Sequence, residues 1–172
     1  MNKILIVING KGGVGKDTLC DFASRHFKTR NISSVTPIKE IARAGGWKGE
    51  KDAKARKMLS DLKRVFTEYN ELPTHYVCDQ YEDFLKTDED ILFVHIREPK
   101  EIDKLKAALP GKCKALLVTR KSYSQNWGNS SDDCVEDYDY DLYYKNDCPL
   151  REAEADFVRF LKENLDQEGE QE

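Results

Sequence analysis

The segment Gly10-Lys11-Gly12-Gly13-Val14-Gly15-Lys16 constrains the fold of this chain more than any other. It matches the spacing G-x-x-x-x-G-K. It lies between a β-branched run, Lys3-Ile4-Leu5-Ile6-Val7-Ile8-Asn9, and a helical pattern with Leu19, Phe22, Ala23, His26 and Phe27 on one stripe. Strand, glycine loop, helix is the context in which such a loop holds phosphate. Glycines reach the dihedrals that turn successive N–H groups inward. The helix start adds positive partial charge, and Lys16 supplies a point charge for the β- and γ-phosphates. The near-continuous apolarity of Ile4 to Ile8 points to a strand covered on both faces, as in parallel sheets.

The rest of the chain continues the alternation. Ile32 to Thr36 forms a short strand pattern, and Pro37 opens a helix that Gly45-Gly46 ends. Asp52 to Tyr69 is helical, with Met58, Leu59, Leu62, Val65, Phe66 and Tyr69 as its apolar stripe, and Thr74 to Leu85 forms another helix. Asp90 to Ile96 is a buried strand ending at Arg97-Glu98-Pro99. A helix follows over Lys100 to Leu109. Ala115 to Thr119 is a strand ending at Arg120, Asp141 to Asn146 a last strand, and Leu150 to Leu165 a closing helix. This pattern predicts an α/β chain: a three-layer P-loop NTPase fold, with about five parallel strands and helices on both faces. Residues 1–172 are expected to form a single domain, with a lid segment within 120–137 and a frayed acidic tail over 166–172. Ligands of such sheets bind beyond the carboxyl ends of the strands. That rule singles out Asn9 to Asp17, Thr36, Arg97, Arg120 and Asn146.

Charge narrows the partners. Lys plus Arg total 28 and Asp plus Glu 32, a formal net charge of −4. A mildly acidic chain lacks the basic field that nucleic-acid polymers require. Its longest apolar run, Ile4 to Ile8, is too short to span a bilayer. Met1-Asn2-Lys3 leads straight into that run with no cleavage-site pattern, so a cytoplasmic protein is expected. The five cysteines, Cys20, Cys78, Cys113, Cys134 and Cys148, are scattered and form no C-x-x-C pair, which argues for reduced packing residues. His26, on the stripe of the first helix, and His95, within a strand, are expected to be structural. Asp132 to Asp141 carries six carboxylates and no base, and is expected to be a solvated surface beside the lid.

The position after Lys16 departs from the usual loop. Ser or Thr normally stands there and binds Mg²⁺ directly; here it is Asp17, followed by Thr18. Asp17 can reach Mg²⁺ through water or cap the helix start. Lys11-Gly12-Gly13-Val14-Gly15-Lys16 resembles the deviant loop of partition and septum-positioning ATPases, with Lys11 at the place of their signature lysine. Those proteins keep Ser or Thr after the second lysine. Gly15-Lys16-Asp17-Thr18 instead resembles the loop of phage-type deoxynucleoside monophosphate kinases, and is similar to that of adenylate kinases. Pro37-Ile38-Lys39-Glu40-Ile41 resembles the acceptor-side segment of that kinase family, Arg97 with Glu101 its strand-end arginine and acidic follower, and Asn146-Asp147 its adenine-side loop. The family often has an acidic residue at the place of His95.

The kinase resemblance implies transfer of the γ-phosphate of ATP, with Mg²⁺, to a nucleoside or deoxynucleoside monophosphate. In that reading Gly10, Lys11, Gly12, Gly13, Val14, Gly15, Lys16, Asp17 and Thr18 hold the donor phosphates, and Asn146 lies on the adenine side. Arg97 and Arg120 neutralise the transferring group, since Arg can hold a phosphate bidentately. Lys39, Arg43 and Arg56 are acceptor-side candidates. Arg56 shares a helix face with Ser60, Lys63 and Thr67. No general base is needed, because the acceptor phosphate is already an anionic nucleophile. Three other readings stay open: a kinase of phosphomevalonate or dephospho-coenzyme A type, a partition-type switch ATPase, and a nucleotide-binding module without turnover.

Overall fold

The computed structural model describes residues 3–121 and 135–165. Strand β1 (Ile4–Asn9) is buried at every position and forms the centre of the sheet. On one side it pairs in parallel with β3 (Ile91–His95), Ile4 opposite Ile91 and Ile8 opposite His95. On the other it pairs with β4 (Cys113–Thr119), Leu5 opposite Cys113 and Asn9 opposite Leu117. The edges are β2 (Thr29–Ser33), on β3, and β5 (Leu142–Lys145), on β4. The order is β2-β3-β1-β4-β5, all parallel. The expected three-layer α/β fold with five parallel strands is what forms.

Alternation along β1 divides the core. Ile4, Ile6 and Ile8 face α1 (Lys16–Ser24) and α6 (Leu150–Leu165), packing with Leu19, Phe22, Phe157 and Leu161. Leu5 and Val7 face α4 (Leu72–Leu85) and α5 (Pro99–Ala108), packing with Val77, Phe84, Ile102 and Leu105. Period-two side chains on a doubly covered strand make both faces apolar, which accounts for the unbroken run. Helices α2 (Thr36–Ala44) and α3 (Ala53–Asn70) follow β2 and pack on each other and on α4. No helix among the described residues is long and apolar enough to cross a membrane.

Several expectations need correction. β2 begins at Thr29, not Ile32, because its register is set by β3, with Thr29 opposite Ile91. His26 is not a core residue. α1 ends at Ser24, so His26 lies past the helix and out of its stripe, exposed and 2.9 Å from Glu154 of α6. The α3 stripe is only partly covered, with Val65 and Tyr69 exposed. The acidic block does have bases in three dimensions: Lys106 lies 2.7 Å from Asp141, and Lys11 lies 3.2 Å from Glu136. Residues 122–134 of the expected lid, with Cys134, and the tail 166–172 lie outside the described residues.

Candidate functional site

The loop between β1 and α1 takes the conformation its glycines permit. Gly10, Gly13 and Gly15 have φ of 149°, 83° and 96°. A Cβ on Gly10 would sit 2.4 Å from the Val118 carbonyl oxygen, so only glycine lets the loop pass β4 this closely. Gly15 precedes α1 as its N-cap, in the left-handed conformation, so the start of that helix faces the loop. The first N–H groups of the helix form the anion-facing end of the loop. The Lys16 ammonium donates to the carbonyls of Gly10 and Lys11 (3.0 Å to the latter), so it spans the loop mouth.

Two buried asparagines hold the loop from either side. Asn9 is fully buried. Its Oδ1 accepts from Gly10 N–H at 2.9 Å, and its Nδ2 donates to the Arg97 carbonyl at 3.0 Å and to the Tyr140 hydroxyl at 2.9 Å. The Tyr140 hydroxyl in turn donates to the Val135 carbonyl at 2.8 Å. Burial pushes the Tyr140 phenol up to about 12. The loop start, the end of β3 and the turn Val135–Asp137 are thus tied through one side chain. Asn146 is also buried, and its Nδ2 donates to the Val14 carbonyl at 2.9 Å. That donor ties the loop after β5 to the phosphate loop. Neither asparagine carries a periodicity signal. The only hint is that each is a polar residue closing an apolar strand.

At the end of β3, His95 stands among the charged residues of the loop. Its Nε2 lies 2.8 Å from Asn31 Oδ1, 3.9 Å from Asp17 Oδ1 and 4.0 Å from Cys20 Sγ. Burial lowers its pKa first of all. Asp17 opposes that shift, and the charges of Lys16 and Arg97 add to it. His95 thus links β3 to the edge strand β2 through Asn31 and stands in the field of Lys16, Asp17 and Arg97. Asp17 is 94% exposed, and Gly15, not Asp17, stands at the helix cap. Burial pushes the Cys20 thiol up to about 12, with Asp17 and Asp21 adding to the shift.

The other expected residues lie around this centre. Arg97 and Arg120 are exposed, two residues after β3 and one after β4. Thr18 is exposed in the first turn of α1. Lys39 and Arg43 lie on α2, which leaves the same end of the sheet; Lys39 is half-buried, and Arg43 stacks over Trp47 at 5.5 Å. Arg56 is exposed on α3. Lys63 of the same helix face reaches Glu98 at 2.8 Å, which joins α3 to the segment after β3.

No family model and no curated protein sequence matches the chain. Solved structures do. A candidate kinase from Chloroflexus aurantiacus superposes with a TM-score of 0.55 at 13% identity, covering 96% of this chain and 97% of that one. TT1252 from Thermus thermophilus superposes with a TM-score of 0.50 at 17% identity, over 97% and 98% of the two chains. At these identities the likeness is one of fold, and it runs through essentially the whole length of each protein.

Proposed function

We propose that this protein is an ATP-dependent phosphotransferase that moves the γ-phosphate to a nucleoside or deoxynucleoside monophosphate. One observation carries the reading most: Asn9 binds the first N–H of the phosphate loop and the carbonyl of Arg97 together. The donor cradle and the backbone of the strand-end arginine are thereby tied through one side chain. Phosphoryl transfer asks for this kind of positioning and charge neutralisation rather than for a covalent catalyst. The kinase-like fold of the Chloroflexus aurantiacus protein supports the same reaction class.

In this reading the loop N–H groups and Lys16 bind the donor phosphates. The Lys16 ammonium, now on two loop carbonyls, turns its donors to the β- and γ-oxygens. Arg97 and Arg120 draw in the acceptor phosphate and neutralise charge on the group in flight. Lys39, Arg43 and Arg56 serve the acceptor side, and the loop after β5, from Asn146, flanks the adenine. The donor set fits a Mg²⁺–nucleotide, because Mg²⁺ keeps most of its water and needs few protein carboxylates. Asp17, exposed at the loop, would hold it through water. When bound, Mg²⁺ neutralises the phosphate oxygens as charge develops.

The test is incubation with ATP, Mg²⁺ and a panel of monophosphates, following ADP and diphosphates. Diphosphate formation that disappears in Lys16→Ala supports the reading. ADP released with no acceptor indicates a switch-type ATPase instead. Turnover restricted to phosphomevalonate or dephospho-coenzyme A would replace the acceptor class while keeping the transferase.

A further inference from the structure

Helix α3 carries more apolar surface than its own chain covers. Met58, Leu62, Val65 and Tyr69 recur at spacings of four, three and four, the seam of a two-stranded helix pair. Ala55, buried, lies on one flank of that seam with Leu59 and Phe66, which are half-buried; α2 and α4 pack on this helix. Toward solvent, Val65 is 47% and Tyr69 80% exposed. Met58, Leu62 and Val65 line an open groove of about 400 Å³ together with Lys54, Lys57 and Asp61. Lys54, Asp61 and Glu68 recur every seven residues along the open edge of the seam. Lys54 makes no ion pair among the described residues, and Glu68 has Arg64 of its own helix at 3.4 Å.

We infer that this face of α3 binds a second copy of the chain, the two helices running antiparallel along Met58, Leu62, Val65 and Tyr69. Charge selects that occupant and its direction. With the two-fold axis between Asp61 and Leu62, Met58 faces Val65 of the second copy, and Lys54 falls beside its Glu68 and Tyr69. The axis makes the interface isologous, so each contact occurs twice. A parallel copy would set the charged edge against the flank of Leu59 and Phe66 and leave Lys54 and Glu68 without opposite charges. Asp61 meets its own copy near the axis, where each carboxylate keeps Lys57 at 2.6 Å. At about 100° per residue, Arg56, Ser60, Lys63 and Thr67 lie on the opposite face. Pairing therefore leaves the acceptor-side candidates and the Lys63–Glu98 contact open. The helix has 18 residues, about 27 Å of length. One such seam covers less than the roughly 800 Å² per partner of a standard interface, so the dimer is weak, with a Kd of about 10–100 µM.

The test is sedimentation equilibrium of the full chain without nucleotide, from about 2 to 300 µM, where a monomer–dimer equilibrium is expected. Val65→Glu should raise the Kd about tenfold or more, because a charge enters the centre of the seam twice. Lys54→Glu sets like charges against Glu68 of the second copy and should raise it about tenfold; adding Glu68→Lys should bring it back to within about threefold of the parent. All three positions are exposed, so the variants keep the fold. A monomer at every concentration would give this face to a different partner and overturns the inference. A dimer indifferent to Val65→Glu lies on another surface, and one that the charge swap does not restore is not the antiparallel pair; either result overturns it as well. None of these results touches the phosphotransferase reading, which is measured by diphosphate formation in dilute enzyme.

Discussion

At the scale of single residues, charge placed by buried amides decides what the site can do. Lys16 bonds the loop carbonyls of Gly10 and Lys11. Lys16→Ala should lower phosphoryl transfer by about 10²–10³-fold, the usual loss when a preorganised charge is removed. Arg97→Ala should cost about 10³-fold in turnover, as for other arginines that neutralise a transferring phosphoryl group. Steady-state rates with the best monophosphate check both, and a near-parent rate for Arg97→Ala would remove that residue from the site. Asn9 is a different kind of residue, since it touches no substrate in this reading. Asn9→Leu removes the acceptor of the buried Gly10 N–H and the donor to the Arg97 carbonyl and the Tyr140 hydroxyl. The expected cost is about 2–4 kcal/mol in urea unfolding. Activity should fall with it even at temperatures where the variant is folded, because loop and arginine lose their common anchor.

At the scale of elements, the helix ends are where this chain stores correctable strain. Glu71 joins α3 to α4 with φ of 52°, the left-handed conformation that favours glycine. Its carboxylate gains only a half-exposed ion pair with Lys104, at 2.9 Å. Glu71→Gly should therefore stabilise the protein by about 0.5–1 kcal/mol, seen as a higher urea midpoint with an unchanged slope. Lys3 works in the opposite sense. Its ammonium donates to the carbonyls of Phe84, Thr87 and Glu89, at 2.8, 2.6 and 2.8 Å, and so caps the end of α4. Lys3→Met should cost about 1–3 kcal/mol by the same measurement.

The elements also show which parts of the fold the residues disclosed in advance. Wherever apolar spacing was set by the core, the pattern located the element, as for β1, β3, α1 and α6. β2 was misplaced because Thr29-Arg30-Asn31 is polar and half-exposed at a sheet edge, so only pairing with β3 defines it. His26 was misplaced because a helical stripe was extended past the point where the helix stops. In the site, the glycine loop and Lys16 were legible, since their chemistry lies in contiguous residues. The strand-end rule marked Asn9, but its anchoring bonds, and the pairing of Asn31 with His95, were not legible, because they arise from contacts between strands far apart in sequence.

At the scale of the whole molecule, the buried acids with high pKa values determine how the fold responds to alkali. The Cys20 thiol rises from an ordinary 9.0 to about 12, and that of Cys113 to about 11, both chiefly through burial. Tyr140 rises from 10.0 to about 12 for the same reason, and burial also raises Tyr138 and Tyr144, which donate to Asp103 and Asp156. Each of these groups is held neutral in the folded chain and ionises more readily in the unfolded one. The folded state then binds more protons than the unfolded state, so stability falls as pH rises. The contribution is fully present below about pH 9 and is lost progressively between about pH 9 and 12. For a deeply buried group such as Cys20 the slope approaches about 1.4 kcal/mol per pH unit inside that window. Urea midpoints at pH 8.0, 9.5 and 10.5 should therefore decline, with the steeper step at the higher pH as tyrosines join the thiols. Cys20→Ala removes one of the earliest titrating groups and should flatten the first step, while leaving the tyrosine-driven second step in place. A midpoint that stays level from pH 8.0 to 10.5 would mean that these thiols and phenols ionise as easily in the folded chain as in the unfolded one, contrary to their burial among the two core layers.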